Sequence, residues 1–243
     1  MRSTSMQKHH IMLTGFPETE KSLLIKIIKD LGGSYCYDQT DSEKFLPVCT
    51  HVVAKKPCRS QKFLCACASG KWLVVDKYLL DSQSAKKFLP ELKYEWGNIY
   101  KYDQLPVDVQ QAPSRWRQAL KKDKNKLPFS GWVVGLCVAK SFQVYKRLLE
   151  IGGGKAINLK QTKHKDFTHI LVGKTIDSKV ESYSKMGVPC LKCEYLAQYL
   201  LHDPPPQLIE YSVFPNDISV KNDPISLALV GDTLQQPKVV ITR

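Results

Sequence analysis

Short apolar runs alternate with helical stripes along residues 10–82 of this chain. Four runs have the length and composition of buried strands, at residues 10–14, 34–37, 50–54 and 72–75. Two stripes at helical spacing lie between them, at 17–31 and 60–70, and a further helix begins at Asp76. This order predicts a small parallel sheet with helices on both faces.

The segment 59–82 combines several local signals. Ser60 is a predicted N-cap, and Gly70 is predicted to end the helix by entering the left-handed region. Lys62 lies in the first turn, where a cation opposes the helix dipole. Such a lysine indicates either an anion bound nearby or an ordinary solvated side chain.

The same order of elements recurs later in the chain. Residues 132–138 and 141–151 predict a strand and a helix, and the strand predicted at 168–172 repeats the one at 50–54. Residues 188–191 and 194–201 repeat the tryptophan strand and the helix that follows it. Because the landmarks keep their order at an offset of roughly 120 residues, the chain is predicted to be a tandem of one fold.

Four segments follow from this repeat. Residues 8–88 form the first repeat, and residues 129–205 form the second. The connection at 89–128 is rich in aromatic residues and is predicted to be a structured linker, with a helix over 114–124 that is capped by Ser114. Residues 206–243 have sparse strand signals and are predicted to be a mostly disordered tail.

The charge of the chain favours acidic partners. Among 243 residues, 36 are Lys or Arg and 23 are Asp or Glu, which gives a net charge of +13. Nucleic acid, phosphorylated protein and an anionic surface all fit this balance. The sequence has neither a secretory signal nor an apolar run long enough to span a bilayer, and its eight cysteines lie mostly among apolar residues. We therefore expect a reducing intracellular compartment and no membrane partner.

Catalytic and metal-binding motifs are weak. Cys190 and Cys193 form a lone CxxC without a second ligand pair, and the glycines before Lys155 lack the spacing of a phosphate-binding loop. His51 and His169 occupy equivalent repeat positions, which indicates an architectural role. Neither paired carboxylates nor a hydrolase motif is present, so we expect no enzyme activity, no metal and no cofactor.

Several short motifs together resemble the BRCT repeat family of DNA-damage-response proteins over residues 8–205. The motifs are Thr14-Gly15, Gly32-Gly33, Thr50-His51-Val52, and Gly70-Lys71-Trp72 followed by Tyr78-Leu79. The second copy keeps Thr168-His169-Ile170 but has Pro189 in place of the tryptophan. The resemblance implies an α/β fold of two BRCT repeats, each a small parallel four-stranded sheet flanked by helices, joined by the structured linker.

The resemblance also implies a phosphate-binding site in the first repeat. Its residues would be Thr14, Gly15 and Lys62, with Ser60 as an auxiliary hydroxyl. Arg59 and Leu64 would line the cleft between the repeats, which takes a side chain of the peptide. In the second repeat, Ala139-Lys140 is expected at the Thr-Gly position and no lysine is expected on the second helix, so we expect a single phosphate pocket.

A closer likeness is carried by KFLCACASGKW, by residues 94–97 and by residues 112–117. These stretches resemble BRCT proteins that bring the Smc five–six complex to DNA lesions. The resemblance implies a non-catalytic scaffold that binds a phosphoserine or phosphothreonine of a DNA-repair protein, namely a ubiquitin ligase, and reaches Smc five–six components indirectly. It implies a location in the nucleus at sites of damage, with the cytoplasm and the centrosome as alternatives.

A second function stays open because of the lysines at the end of the linker helix. Lys121, Lys122, Lys124 and Lys126 suit a solvated helix end, a nuclear import signal or contacts to DNA phosphates. The alternative function is therefore a DNA-binding module that uses the basic linker. A structural BRCT pair with a vestigial pocket is a third hypothesis.

Overall fold

The computed structural model describes residues 9–98, 104–161 and 166–215. The first repeat and the linker contain β1 (His10–Thr14), α1 (Glu18–Asp30), β2 (Ser34–Tyr35), β3 (His51–Ala54), α2 (Gln61–Ala68), β4 (Trp72–Val74), α3 (Lys77–Ser84), a 3₁₀ turn (Glu91–Tyr94) and α4 (Val107–Lys122). The rest of the described chain contains β5 (Val133–Cys137), α5 (Phe142–Ile151), β6 (Lys155–Asn158), a 3₁₀ turn (Leu159–Gln161), β7 (His169–Val172), α6 (Ser178–Lys185), β8 (Cys190–Lys192), α7 (Tyr195–Leu201) and α8 (Leu208–Tyr211).

The strands form two four-stranded parallel sheets, with the orders β2-β1-β3-β4 and β6-β5-β7-β8. Residues of β1, β3, β5 and β7 are almost entirely buried, as expected for central strands covered by helices on both faces. The predicted α/β fold of two sheets flanked by helices is confirmed.

Helix α2 joins the two repeats. Every residue from Lys62 to Ala68 is buried, because α2 lies on its own sheet and also packs against α4, α5 and α7. Its small side chains, such as Cys65 and Ala66, allow the neighbouring helices to approach closely. One apolar core therefore continues from the first repeat through the linker into the second.

Helix α4 begins earlier than the sequence pattern predicts. Its N-cap is Pro106, and Ser114, the predicted cap, lies inside the helix with its Oγ donating to the carbonyl of Gln111 at 3.1 Å. Pro113 removes one backbone donor within the helix. The prediction of a start at 114 was wrong because an internal proline was taken to interrupt the helix.

Two ordered contacts dock α4 against both repeats. Trp116 Nε1 donates to the carbonyl of Leu200 at 2.7 Å, and the Arg115 guanidinium donates to carbonyls at the end of α7. On the other side, Arg117 forms a two-pronged ion pair with Glu95, with both N–O distances at 2.6 Å, and its guanidinium lies 3.8 Å above the ring of Trp72. The linker is therefore fixed to the first and second repeats by side-chain contacts.

The apolar pattern of the second repeat does not predict β6 or α6. Strand β6 is a partly exposed edge strand that begins with Lys155, and α6 carries mostly polar residues around Val180 and Tyr183. Tertiary packing decides both elements, since β6 pairs with β5 along its whole length and α6 covers β7 and β8. Strand β8 begins at Cys190, after Pro189, whose carbonyl still accepts from Ile170 N at 2.8 Å.

The segment after α7 folds back on the second sheet. Leu208 of α8 is buried, Ser212 forms an isolated antiparallel bridge with Leu191, and Val213 N donates to the carbonyl of Cys190 at 2.9 Å. Glu95 of the linker makes the equivalent antiparallel bridge to Val74 in the first repeat. Residues 216–243, most of the predicted disordered tail, lie outside the described residues. Within the described ranges, the helices lack the combination of length and apolar character that crossing a bilayer requires.

Candidate phosphate-binding site

The predicted site lies where β1 ends and α2 begins. Ser60 is the N-cap of α2, as predicted, and its Oγ accepts from Phe63 N at 3.2 Å. The same Oγ lies 2.9 Å from Thr14 Oγ1, at the last residue of β1. Two hydroxyl groups that are 46 residues apart in the chain therefore share one hydrogen bond beside the first turn of a helix.

Lys62 reaches the same place from inside the protein. The residue is only 3% exposed, and its Nζ donates to the carbonyl of Leu13 at 3.1 Å. Glu43 Oε1 lies 3.8 Å from Nζ, and burial lowers the pKa of Lys62 from its ordinary value. The alternative of a solvated surface lysine was therefore wrong.

Gly15 completes this corner of the first repeat. Its φ of +79° lies in the left-handed region, where a side chain would strain the backbone, and the residue itself is exposed. The first N–H groups of any α-helix lack intrahelical partners, so the start of α2 adds backbone donors beside the hydroxyls and the ammonium. An ammonium has three N–H groups and a hydroxyl has one O–H. Together these groups match the needs of a tetrahedral oxyanion.

A cavity of about 220 Å³ lies between the repeats next to these groups, and Arg59 lines it as predicted. Its walls include Phe63 from α2, Val109 from the linker helix, and Leu201 from α7. Cys58 also lines the cavity and donates its Sγ–H to Ser60 Oγ at 3.3 Å, which links the cavity to the phosphate corner.

Leu64, the second predicted cleft residue, is not among the side chains that line this cavity. It is 7% exposed and belongs to the continuous core. Phe63 takes the cavity-lining position that the sequence prediction assigned to Leu64. The sequence could not resolve this, because adjacent residues of a helix differ by about 100° in direction and both are apolar.

The second repeat has different chemistry at the equivalent corner. The strand register places Cys137, not Ala139, at the position of Thr14, so the predicted assignment was wrong by two residues. The N-cap of α6 is Asp177, whose Oδ1 accepts from Val180 N at 3.1 Å and whose Oδ2 lies 3.5 Å from Cys137 Sγ. A carboxylate thus lies where the first repeat has the Ser60 hydroxyl, and it would repel an anion.

A lysine is nevertheless present in the second repeat. Lys179 is the second residue of α6, as Lys62 is the second residue of α2, and its Nζ donates to the carbonyl of Leu159 at 2.9 Å. The expectation that the second repeat lacks this lysine was wrong because α6 itself was not predicted. The repeats therefore differ at the helix cap and at the end of the first strand, but both carry the lysine.

Comparisons with known proteins identify this architecture. Residues 2–83 match the family model for the BRCA1 C Terminus (BRCT) domain. The chain is 34% identical over 200 residues to SMC5-SMC6 complex localization factor protein 1 of Mus musculus, and the match covers 81% of this chain. The chain belongs to the BRCT repeat family.

Further matches place the chain within longer relatives. The Homo sapiens SMC5-SMC6 complex localization factor protein 1 is 34% identical over 197 residues, which are 80% of this BRCT chain. The chain spans 18% of the length of the mouse and of the human protein. The crystal structure of the S. pombe Brc1 BRCT5-BRCT6 domains aligns with a TM-score of 0.49 at 20% identity, covering 73% of this chain and 79% of that chain.

The four lysines of the BRCT linker divide between two surfaces. Lys121 and Lys124 line a concave surface of about 510 Å³ together with Lys71 and the face of Trp72. Lys122 and Lys126 are exposed but are not among its lining residues. Since Arg117 in the same concavity is neutralised by the buried Glu95, the positive charge available to a ligand comes from the lysines.

The CxxC of the second BRCT repeat is explained by packing. Cys190 Sγ donates to the carbonyl of Val188 at 3.4 Å, and Cys193 Sγ donates to that of Val172 at 3.2 Å. Both residues are buried, and burial raises the pKa of the Cys193 thiol to about 12. These cysteines behave as small core residues.

Proposed function

We propose that this BRCT tandem is a non-catalytic scaffold that binds a phosphoserine or phosphothreonine peptide through its first repeat. The observation that carries the proposal is the convergence of Thr14 Oγ1, Ser60 Oγ and the Lys62 ammonium at the start of α2. A phosphorylated side chain carries about −1.5 to −2 charges and three acceptor oxygens. The hydroxyls, the ammonium, the N–H of Gly15 and the helix N-terminus supply matched donors.

The proposal assigns the phosphate to one repeat only. Asp177 replaces the capping hydroxyl in the second repeat, so an anion there would meet a carboxylate. Lys179 would have to offset that repulsion before it could attract a phosphate. The first repeat has no such obstacle at its cap, because Ser60 is neutral.

Residues that follow the phosphate on the peptide would enter the cavity between the repeats. Arg59 offers a guanidinium that can donate to peptide carbonyl or carboxylate oxygens, while Phe63, Val109 and Leu201 offer apolar walls. This combination favours a peptide with an apolar side chain a few residues after the phosphoresidue.

The names of the mouse and human relatives suggest the biological setting. Both are SMC5-SMC6 complex localization factors, and we propose that this chain shares that role and helps to recruit the complex to DNA lesions in the nucleus. The proposed direct partner is a phosphorylated DNA-repair protein, a ubiquitin ligase by the resemblance described above. The complex itself would be reached indirectly through further interactions.

A peptide-library experiment tests the proposal. The chain is applied to arrays of phosphoserine and phosphothreonine peptides and of the same peptides without phosphate. Selected pairs are then measured in solution by fluorescence anisotropy. We expect at least tenfold tighter binding of the phosphorylated member of each pair, and equal affinities within pairs would exclude the proposed function.

DNA binding is a second candidate, favoured by the concave lysine surface. Lys71, Lys121 and Lys124 line one groove, so neutralising them together should flatten the salt dependence of duplex binding by about 0.9 per lost phosphate contact. Replacing these three lysines by glutamine is compared with replacing Lys122 and Lys126, which lie outside the groove. Equal effects of both sets would exclude the groove as the DNA site.

A further inference from the structure

Three side chains from distant parts of the chain meet beside the first sheet. His9 precedes β1, His51 begins β3, and Glu91 begins the 3₁₀ turn of the linker. Glu91 Oε1 lies 3.1 Å from His51 Nε2 and 3.8 Å from His9 Nε2, and the three ligand atoms all lie within 4.8 Å of one another. Two imidazole nitrogens are thus directed at one carboxylate oxygen.

These separations suit a transition-metal ion. Zinc binds imidazole nitrogen and carboxylate oxygen at about 2.0–2.2 Å, so the ligand atoms of a tetrahedral site are about 3.3–3.5 Å apart. The distances of 3.1 and 3.8 Å need only small side-chain shifts to reach that spacing. His9 and Glu91 are partly exposed while His51 is buried, which leaves one side open to a water ligand.

The surroundings of His51 favour the tautomer that binds metal. Thr50 Oγ1 donates to the carbonyl of His10 at 3.1 Å and lies 2.7 Å from His51 Nδ1. Because the threonine has one hydroxyl hydrogen, Nδ1–H then donates to Thr50, and the lone pair of Nε2 faces Glu91. A neutral imidazole nitrogen facing a carboxylate oxygen is stabilised by a cation between them.

The second repeat supplies an internal comparison. Thr168 and His169 repeat the same contact, with Thr168 Oγ1 2.9 Å from His169 Nδ1. Trp132 stacks on His169 at a ring distance of 4.1 Å, in the position where His9 stacks on His51 at 4.9 Å. The Thr-His pair is therefore architecture in both repeats, whereas the first repeat adds a second imidazole in place of the tryptophan.

We propose that His9, His51 and Glu91 bind one Zn²⁺ or a similar first-row transition-metal ion, with water as the remaining ligand. The ion would join β1, β3 and the linker at one point, and Phe88, stacked on His9 at 3.8 Å, would hold that imidazole in place. The proposal replaces the sequence-based expectation that the chain binds no metal. Ligands spaced by about 40 residues form no local motif, which is why the sequence pattern misses them.

Zinc titration of the metal-free chain tests the proposal. Binding is measured against a competing chromophoric chelator, and Co²⁺ is added separately to record the visible absorption of a tetrahedral site. We expect one equivalent to bind the unmodified chain, with affinity reduced at least tenfold in His9→Trp and in Glu91→Gln. His9→Trp copies the second repeat and should keep the fold, which far-ultraviolet circular dichroism checks.

The matched control is His10→Gln. His10 is adjacent in sequence, but its Nδ1 lies near Cys36 Sγ and not near Glu91, so the variant should bind zinc as the unmodified chain does. Zinc binding that is unchanged in both His9→Trp and Glu91→Gln would belong to other groups, such as the free cysteines, and would overturn the proposal. An unmodified chain that binds no zinc would overturn it equally.

Discussion

Replacing Lys62 by methionine tests the phosphate corner with little disturbance of the core. The lysine is 3% exposed, and methionine fills similar space without carrying a charge. Since burying an ammonium is unfavourable, as the lowered pKa of Lys62 indicates, the free energy of unfolding should stay equal or rise in the variant. A loss of binding would then reflect the missing ammonium.

The size of that loss follows from the hydrogen bonds of the ammonium. One of its three N–H groups donates to the carbonyl of Leu13 at 3.1 Å, which leaves the others for phosphate oxygens. A hydrogen bond to a charged group contributes about 1.5–3 kcal/mol. The Lys62→Met variant should therefore bind a phosphopeptide roughly 10- to 150-fold more weakly.

Fluorescence anisotropy with a labelled phosphoserine peptide from the library, beside its unphosphorylated form, measures this change. Lys179→Met is the matched control, because it removes a lysine from the same helix position in the second repeat and also breaks a bond to a backbone carbonyl. We expect Lys179→Met to change phosphopeptide affinity less than about twofold. A folded Lys62→Met chain that binds the phosphopeptide as tightly as the unmodified chain would refute the assignment of Lys62.

Three further results are expected. Glu43→Gln removes the carboxylate 3.8 Å from Lys62 Nζ and should raise phosphopeptide affinity about 1.5- to 5-fold in the same assay, since exposed ion pairs contribute about 0.2–1 kcal/mol. Glu95→Ala leaves the Arg117 guanidinium without its fully buried partner and should lower the free energy of unfolding in urea by about 3–5 kcal/mol, whereas Glu95→Gln should lower it less. Burial lowers the pKa of His169 from 6.5 to about 4, so the unfolded chain binds more protons between these values and stability falls as pH falls through that window. The loss should reach ~3 kcal/mol in urea titrations at successive pH values and should be smaller in His169→Gln; an equal loss in both would contradict it.

Local signals in the sequence were sufficient for much of the first repeat. The buried run of β1, the N-cap Ser60 and the turn at Gly70 depend on residues within a few positions of one another. Gly70 has a φ of +61°, as a helix end in the left-handed region requires. The hydroxyl and ammonium groups of the candidate site were named from the family resemblance, and the structure places Thr14, Ser60 and Lys62 together.

Features that depend on tertiary packing were not accessible from the pattern. Helix α6 is polar around its exposed face, so neither the helix nor Lys179 was predicted. The start of α4 was misplaced because a single lost hydrogen bond at Pro113 does not end a helix that is held by contacts to both repeats. The choice of Phe63 over Leu64 at the cavity depends on the rotation of α2 against the second repeat.

The two isolated antiparallel bridges have a consequence for association between molecules. Strands β4 and β8 each lie at one edge of a parallel sheet, and backbone from Glu95 and Ser212 pairs with them there. An uncovered edge offers backbone donors and acceptors to any extended chain, which promotes aggregation. The residues just after each repeat therefore act as plugs, and a chain shortened to residue 205 would leave Cys190–Lys192 open to strand addition from a neighbouring molecule.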